Sequence, residues 1–310
     1  MSNKNPFPET TEKSFLRDRI YIDHILSLEK DLERQLVYFG LPSGEMEDVV
    51  RWNNSLQKII AVERDEDVSL KMRTKAGRIG IRDKIIILDL DMSDVSRYLG
   101  MKSPIFRSES QNLLSETANK LKRVRNTKID VANLDYYGGF LYPTDDDENK
   151  HSETLKDLVE HQREFGGKFL VILTFQSRDT GASEYDRFIR QTIDRMDITK
   201  DNSEELINYY TEEGYCEVPI HLRRMIFSVP IYSLKISFDY FRVNLLKSIS
   251  YKNFYSTVLQ FYPRKEKGAL GSWPPSSEIK NILSKSTYRV DTKNGNLTFS
   301  EIQEYPPVGF

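Results

Sequence analysis

Residues 240–261 read YFRVNLLKSISYKNFYSTVLQF. Tyr240–Leu246 and Tyr255–Phe261 carry the aromatic and β-branched residues typical of strands. Only residues 247–254 separate them. A parallel pair needs a crossover of a dozen or more residues, so this pair must be antiparallel. Five apolar segments precede it: Leu36–Phe39, Lys58–Glu63, Lys84–Leu88, Ile129–Leu134 and Lys168–Phe175. Near-continuous apolar strands suit a sheet covered on both faces. Helical spacing lies between them. Met46, Val49 and Val50 share one side of Glu45–Leu56, and Leu113, Leu114, Ala118, Leu121 and Val124 share one face of residues 108–125. Ser152–Phe165 reads as a helix capped by Ser152 and stopped by Gly166–Gly167. Ser183 and Asp186 have capping-box spacing before Phe188, Ile189 and Ile193. Strands alternating with helices predict an α/β fold, a parallel sheet between helical layers.

The flanks differ. Ser14–Gln35 has Leu16, Ile22, Ile25, Leu28 and Leu32 close to helical spacing. Residues 263–310 hold Pro274–Pro275, Pro306–Pro307, Gly268 and Gly271, and read as a partly irregular, surface-wrapping extension. The expected organisation is an N-terminal helical segment (1–35), a main domain (36–263) and a C-terminal extension (264–310).

The chain has 310 residues, 38% of them hydrophobic, enough for a sizeable core. Lys+Arg number 45 against Asp+Glu 47. That balance excludes a uniformly basic nucleic-acid coat and an acidic tail protein, but not local basic patches. Cys216 is the sole cysteine, so no disulfide framework or cysteine-based zinc site forms within one chain. His24, His151, His161 and His221 lie far apart without metal-ligand spacing. The longest apolar runs, about eight residues, are too short to span a bilayer. Residues 1–14 lack the apolar core of a signal peptide. A soluble cytoplasmic protein without a membrane partner is expected.

Five parallel strands followed by an antiparallel hairpin resemble the class I S-adenosylmethionine-dependent methyltransferases over roughly residues 36–263. That resemblance implies a three-layer αβα Rossmann-like sheet of about seven strands, the last antiparallel. The sheet of a nicotinamide-type Rossmann fold is fully parallel, which disfavours an oxidoreductase. The resemblance implies S-adenosylmethionine as cofactor and directs attention to four strand ends.

After the first strand comes Gly40-Leu41-Pro42-Ser43-Gly44. In the family a glycine-rich turn here admits the cofactor to the backbone and a helix N-terminus. Here the family's G-x-G-x-G is not intact, and Tyr38-Phe39 stand where an acid is usual. An ordinary strand-to-helix turn is the alternative. Glu63 ends the second strand, placed to accept ribose hydroxyls; otherwise it is a surface carboxylate in a charged run. Asp89 and Asp91 follow the third strand, and either could take the adenine amino group. With Ser93-Asp94 next, a helix cap is the other reading.

The fourth strand ends Asn133-Leu134-Asp135-Tyr136-Tyr137-Gly138. Amino-group methyltransferases of this fold carry D/N-P-P-Y/F here, and tRNA guanine N2-dimethyltransferases carry D-P-F/Y-G. Residues 135–138 resemble the latter with Tyr136 in place of proline. An exocyclic base amine is a poor nucleophile because its lone pair is conjugated with the ring. A carboxylate or amide oxygen that accepts its N–H hydrogens directs that pair toward the methyl donor. An aromatic ring stacked on the extruded base holds it in line. The resemblance thus implies Asp135 as acceptor, Tyr137 as stacking ring and Asn133 as assistant. The alternative is a loop with aromatic packing.

Basic residues cluster at Lys71–Lys84, Lys120–Lys128, Arg223-Arg224 and Arg264–Lys267, with Tyr209, Tyr210, Tyr232 and Tyr240 nearby. Such clusters could hold DNA or RNA phosphates; solvated helix faces are the plainer reading. The leading expectation is a methyltransferase acting on an exocyclic amine of a nucleic-acid base. The alternative is an inactive chain of the same fold, a structural or regulatory subunit whose C-terminal extension wraps a protein partner through Trp273 and Tyr305.

Overall fold

The computed structural model describes residues 10–100, 115–136, 140–141, 151–176, 182–265, 273–293 and 296–302. Helix α1 (Thr11–Phe15) runs through a π-helical stretch, Leu16–Tyr21, into α2 (Ile22–Leu32). Then come β1 (Leu36–Gly40), α3 (Glu47–Trp52), β2 (Leu56–Val62), α4 (Glu66–Arg78), β3 (Ile85–Leu88) and α5 (Met92–Gly100). They are followed by α6 (Ser115–Arg125), β4 (Val131–Asp135), α7 (His151–Arg163), β5 (Phe169–Gln176), α8 (Ala182–Ile193), α9 (Lys200–Thr211) and α10 (Ile220–Ser237). The chain continues with β6 (Phe241–Tyr251), β7 (Phe254–Pro263), α11 (Ser276–Leu283), β8 (Thr287–Lys293) and β9 (Asn296–Ile302). No described helix is long and apolar enough to cross a membrane.

Among the described residues the strands form one sheet of order β3-β2-β1-β4-β5-β7-β6-β8-β9. β1 to β5 are mutually parallel, and β7 is antiparallel to both β5 and β6. This is the expected αβα architecture with its antiparallel hairpin. The hairpin is tighter than expected. Alternation continues through Ser248–Tyr251, so β6 and β7 are linked by Lys252-Asn253 alone, with Lys252 at φ 48°. Order reverses between β1 and β4, which leaves a crevice beyond their C-terminal ends, the usual ligand position in open α/β sheets.

Period-two alternation distributes β1 between two cores. Val37 and Phe39 join the helices α5 to α11. Leu36 and Tyr38 join α2, α3, Trp52 and the π-helical stretch. Every residue of β1 is buried, as an interior parallel strand requires. Tyr21 meets Trp52 edge-on at 6.3 Å, and Tyr38 leans on the same ring at 6.2 Å. Deleting an indole so buried costs about 3–5 kcal/mol.

Three local expectations change. Ser152 is the second residue of α7 rather than its cap. Ser183 likewise lies inside the first turn of α8, while Asp186 turns to Arg224. The described part of the C-terminal extension is more regular than expected: it supplies a helix and two strands that widen the expected seven-stranded sheet to nine. β8 runs parallel to β6 because α11 provides the crossover.

Gly100 ends α5 hard against α7, where a Cβ would lie 3.0 Å from Asp157 Cα. That close crossing buries Asp157. Burial first, then the neighbouring Glu153 carboxylate, push its carboxyl up to about 6. A carboxyl raised on folding stabilises the fold only while protonated, so its contribution is lost as pH rises from about 4 to 6. Asp157→Asn removes the penalty. Urea unfolding at pH 7 is expected to show the variant more stable by about 1 kcal/mol, allowing for solvent screening. The gap should close as pH falls toward 4; a gap that widens instead would contradict this.

Candidate functional site

β4 places its side chains alternately on the two faces. Leu134 and Tyr136 enter the core beside α7, where Tyr136 stacks on His151 at 3.9 Å and on Phe175 at 5.7 Å. Asn133 and Asp135 point to the opposite face, toward α1 and α3. Gly40 pairs with Asn133 across β1 and β4. A Cβ on Gly40 would lie 2.3 Å from the Asn133 carbonyl oxygen and 2.7 Å from Tyr38 Oη. The first glycine of the turn is therefore required by strand packing itself. Gly44 is not: a Cβ there meets nothing closer than 3.5 Å, and the left-handed positions fall on Ser43 (φ 56°) and Met46 (φ 52°).

The N-terminal helix closes over these strand ends. Lys13 Nζ donates to Asp135 Oδ2 at 3.0 Å, with side-chain exposures of 7% and 14%. Arg17 Nε pairs with Asp48 Oδ1. Asp48 Oδ2 accepts from Asn133 Nδ2 and, at 3.5 Å, from Tyr38 Oη. Tyr21 Oη meets Ser256 Oγ at 2.6 Å, and Thr174 Oγ1 donates to that same oxygen at 3.1 Å. Asp135 Oδ1 is buried and, among the described residues, has no hydrogen-bond partner. Burial raises Asp48; Arg17 opposes the rise and Asp135 adds to it. Two carboxylates thus sit close enough to feel each other, each met by one cation. Sequence reading missed Lys13, Arg17, Tyr21 and Asp48. The signal was Lys13, Arg17 and Tyr21 at successive intervals of four, which places them on one face of the helix.

The remaining expected positions divide. Glu63 stands at the C-terminal end of β2, where its N–H bonds Leu88 O at 3.0 Å. Its Oε1 accepts from Asp65 N at 3.0 Å, and burial raises its carboxyl. Asp89 is drawn away to Arg73 at 2.7 Å. Asp91 Oδ1 takes the N–H and hydroxyl of Ser93 at 2.8 and 2.7 Å, at the start of α5. Both are occupied within the chain, and Asp91 serves as the helix cap. Tyr137 and Gly138 lie outside the described residues. The first turn of α3 already holds Glu47 and Asp48, so its N-terminal dipole is matched and does not invite a ligand carboxylate.

Each basic cluster has members paired within the chain. Arg73 pairs with Asp89, Lys75 with Glu45, Lys120 with Glu116, Lys128 with Asp130, Arg224 with Asp186 and Arg264 with Glu278. Tyr209 and Tyr210 are core residues, and Tyr240 lies under the Arg163 guanidinium at 4.0 Å. Lys71, Lys122 and Arg123 remain exposed. Trp273 packs within the chain, beneath Lys235 at 4.4 Å and Arg195 at 4.7 Å; Tyr305 lies outside the described residues.

No family model matches the chain, and no curated protein matches it. Solved structures that resemble it include EvdMO1, at 10% identity over 78% of this chain and 40% of that one, with a TM-score of 0.38. An rRNA methylase from Streptococcus thermophilus is 11% identical over 79% of this chain and 97% of its own, with a TM-score of 0.39. A putative methyltransferase from Streptococcus mutans in complex with SAH is 11% identical over 77% and 96%, with a TM-score of 0.35. Likenesses this distant carry no weight for activity. The strand order and the residues at the strand ends stand on their own.

One of those residues fits S-adenosylmethionine: Glu63 keeps a carboxylate oxygen available for a ribose diol. At the adenine end Asp89 pairs with Arg73, and Asp91 gives Oδ1 to Ser93 while its Oδ2 lies 3.7 Å from the exposed Arg64.

Arg17→Met leaves Asp48 buried without its cation, and unfolding in urea is expected to register a loss of about 3–5 kcal/mol. Adding Asp48→Leu removes the orphaned charge but leaves the Asn133 and Tyr38 donors unpaired, so the double variant should recover only part of that loss. Additive losses in the double variant would show that the two groups are not coupled.

Proposed function

We propose that the chain is an S-adenosylmethionine-dependent methyltransferase acting on an exocyclic amine of a nucleic-acid base. The observation that carries the reading is Asp135 Oδ1: a buried carboxylate oxygen without a donor, at the C-terminal end of β4 beside the order reversal. An unsatisfied buried acceptor is costly and therefore asks for an N–H group.

The chain's residues divide the work. Lys13 neutralises Asp135 Oδ2 and leaves Oδ1 to accept an amine hydrogen. Asn133 is fixed by its donation to Asp48, which turns its amide oxygen away from that carboxylate. Drawing both amine hydrogens onto oxygen frees the nitrogen lone pair for attack. Glu63 would hold the ribose, and the backbone at Gly40–Gly44 would line the amino-acid end with Ser43. The cofactor supplies the electrophilic methyl group, so the protein's contribution is placement. Tyr137 is the proposed stacking ring. Lys71, Lys122 and Arg123, exposed on α4 and α6, would meet phosphates.

A second reading has its own support. Lys13 and Arg17 already satisfy the charges of the two carboxylates, and β9 presents an open, mostly exposed sheet edge. Such an edge is suited to pairing with another chain. An inactive structural subunit would use both features.

Calorimetric titration with S-adenosylmethionine and with its demethylated product separates the readings: heat supports the first, and none with either ligand favours the second. Glu63→Ala is expected to weaken cofactor binding by at least about tenfold. Asp135→Ala is expected to abolish methyl transfer to nucleic acid while cofactor affinity stays nearly unchanged. Transfer by Asp135→Ala would overturn the role assigned to that carboxylate.

A further inference from the structure

Arg223 lies in the first turns of α10 and is 1% exposed. Its Nε donates to Val218 O at 3.0 Å and its Nη2 to Glu212 O at 2.7 Å. Its guanidinium lies 5.3 Å from the Tyr209 ring centroid. Nη1 has no acceptor, and among the described residues no carboxylate pairs with this cation. The contrast with the next residue is direct, for Arg224 holds both oxygens of Asp186 at 2.7 and 2.9 Å. Two backbone carbonyls bring partial charges only, so a guanidinium buried this way lacks a counter-charge. Its position near the N-terminal end of an 18-residue helix, where the dipole is positive, deepens the deficit.

The same side chain lines a cavity of about 30 Å³ between α9, α10 and the α11–β8 connection. A water needs at least about 10–15 Å³ by this measure, so the space holds roughly two water-sized groups. The charged residues of its lining are Arg223 and Lys285, both cationic, with Lys285 exposed at the rim. Burial pushes the Tyr210 phenol well up, so that lining hydroxyl stays neutral. Thr287 adds a second hydroxyl. Among the described residues nothing in the lining is negative, and two cations favour a dianion over a monocarboxylate.

We propose that this cavity is a binding site for a phosphate group, with Arg223 and Lys285 supplying the charge. The space suits the oxyanion itself, carried free or at the end of a larger molecule whose body stays outside. The site shares no residue with the strand-end cluster and does not depend on the methyltransferase reading.

The test uses the full chain in phosphate-free buffer at pH 7.5 and constant ionic strength. Thermal unfolding and calorimetry are followed while titrating inorganic phosphate, ribose 5-phosphate or acetate. Saturable binding and a rise in Tm are expected with at least one phosphate and not with acetate. Binding of both phosphates means that the free ion suffices; binding of ribose 5-phosphate alone means that the phosphate arrives attached. Lys285→Gln, a rim change that leaves the fold intact, should weaken that binding at least about fivefold. Arg223→Met should abolish it where the variant folds. The proposal fails if no phosphate binds saturably, if acetate binds as well, or if Lys285→Gln leaves the affinity unchanged.

Discussion

The buried pair of Arg17 and Asp48 is the contact from which the candidate site takes its shape. Asp48 is 2% exposed, and a carboxylate so placed is tolerable only beside a cation and hydrogen-bond donors. Arg17 supplies the charge; Asn133 and Tyr38 supply donors from two neighbouring strands. One acidic side chain thereby ties the N-terminal helix, α3, β1 and β4 together. The same registration sets Lys13, one turn earlier, onto Asp135. A second anchor works at the other end of the strands. There the fully buried Asp130 takes both Arg34 nitrogens, at 2.8 and 2.9 Å, and the Val37 N–H at 2.9 Å. β1 and β4 are therefore pinned together at both ends by carboxylates.

The chain beyond β7 participates in holding the N-terminal helix. Glu12 takes the Thr292 hydroxyl at 2.7 Å and the Lys252 ammonium at 3.0 Å. Burial works to raise its carboxyl, but these contacts and its own backbone N–H prevail and lower it to about 2. Phe15 meets Phe299 of β9 at 5.9 Å. The helix over the strand ends is thus gripped from the sheet centre by Asp48 and Asp135 and from the far edge by β8, β9 and the β6–β7 turn. Residues 12–15 and residues 292–299 thus meet, although they are far apart in the sequence.

This arrangement gives the strand-end carboxylates two loads. They hold the helix down, and under the proposed function Asp135 would also accept an amine hydrogen. Asp135 divides the loads between its oxygens, one bound by Lys13 and one without a donor. Gly40 carries a comparable double constraint. Its missing Cβ is demanded by the Asn133 carbonyl whether or not a cofactor ever approaches. A glycine in a motif position is for that reason weak testimony to a ligand.

Much of the fold was legible from residues alone. Five apolar runs at crossover spacing specify a parallel sheet, and a short connection between Tyr240–Leu246 and Tyr255–Phe261 forces the antiparallel hairpin. Alternation on β4 also determined that Asn133 and Asp135 share a face. The sequence could not reveal which charges meet. The pairing of Asp89 with Arg73 is one such contact. Arg223 looked like part of a basic surface until α10 buried it. The strands of residues 287–302 were hidden for a related reason: β9 is mostly exposed, so it carries little of the apolar signal by which strands are recognised. Periodicity is a local property, written in neighbouring residues. Charge pairing joins groups such as Lys13 and Asp135, more than a hundred positions apart, and only the folded chain decides it.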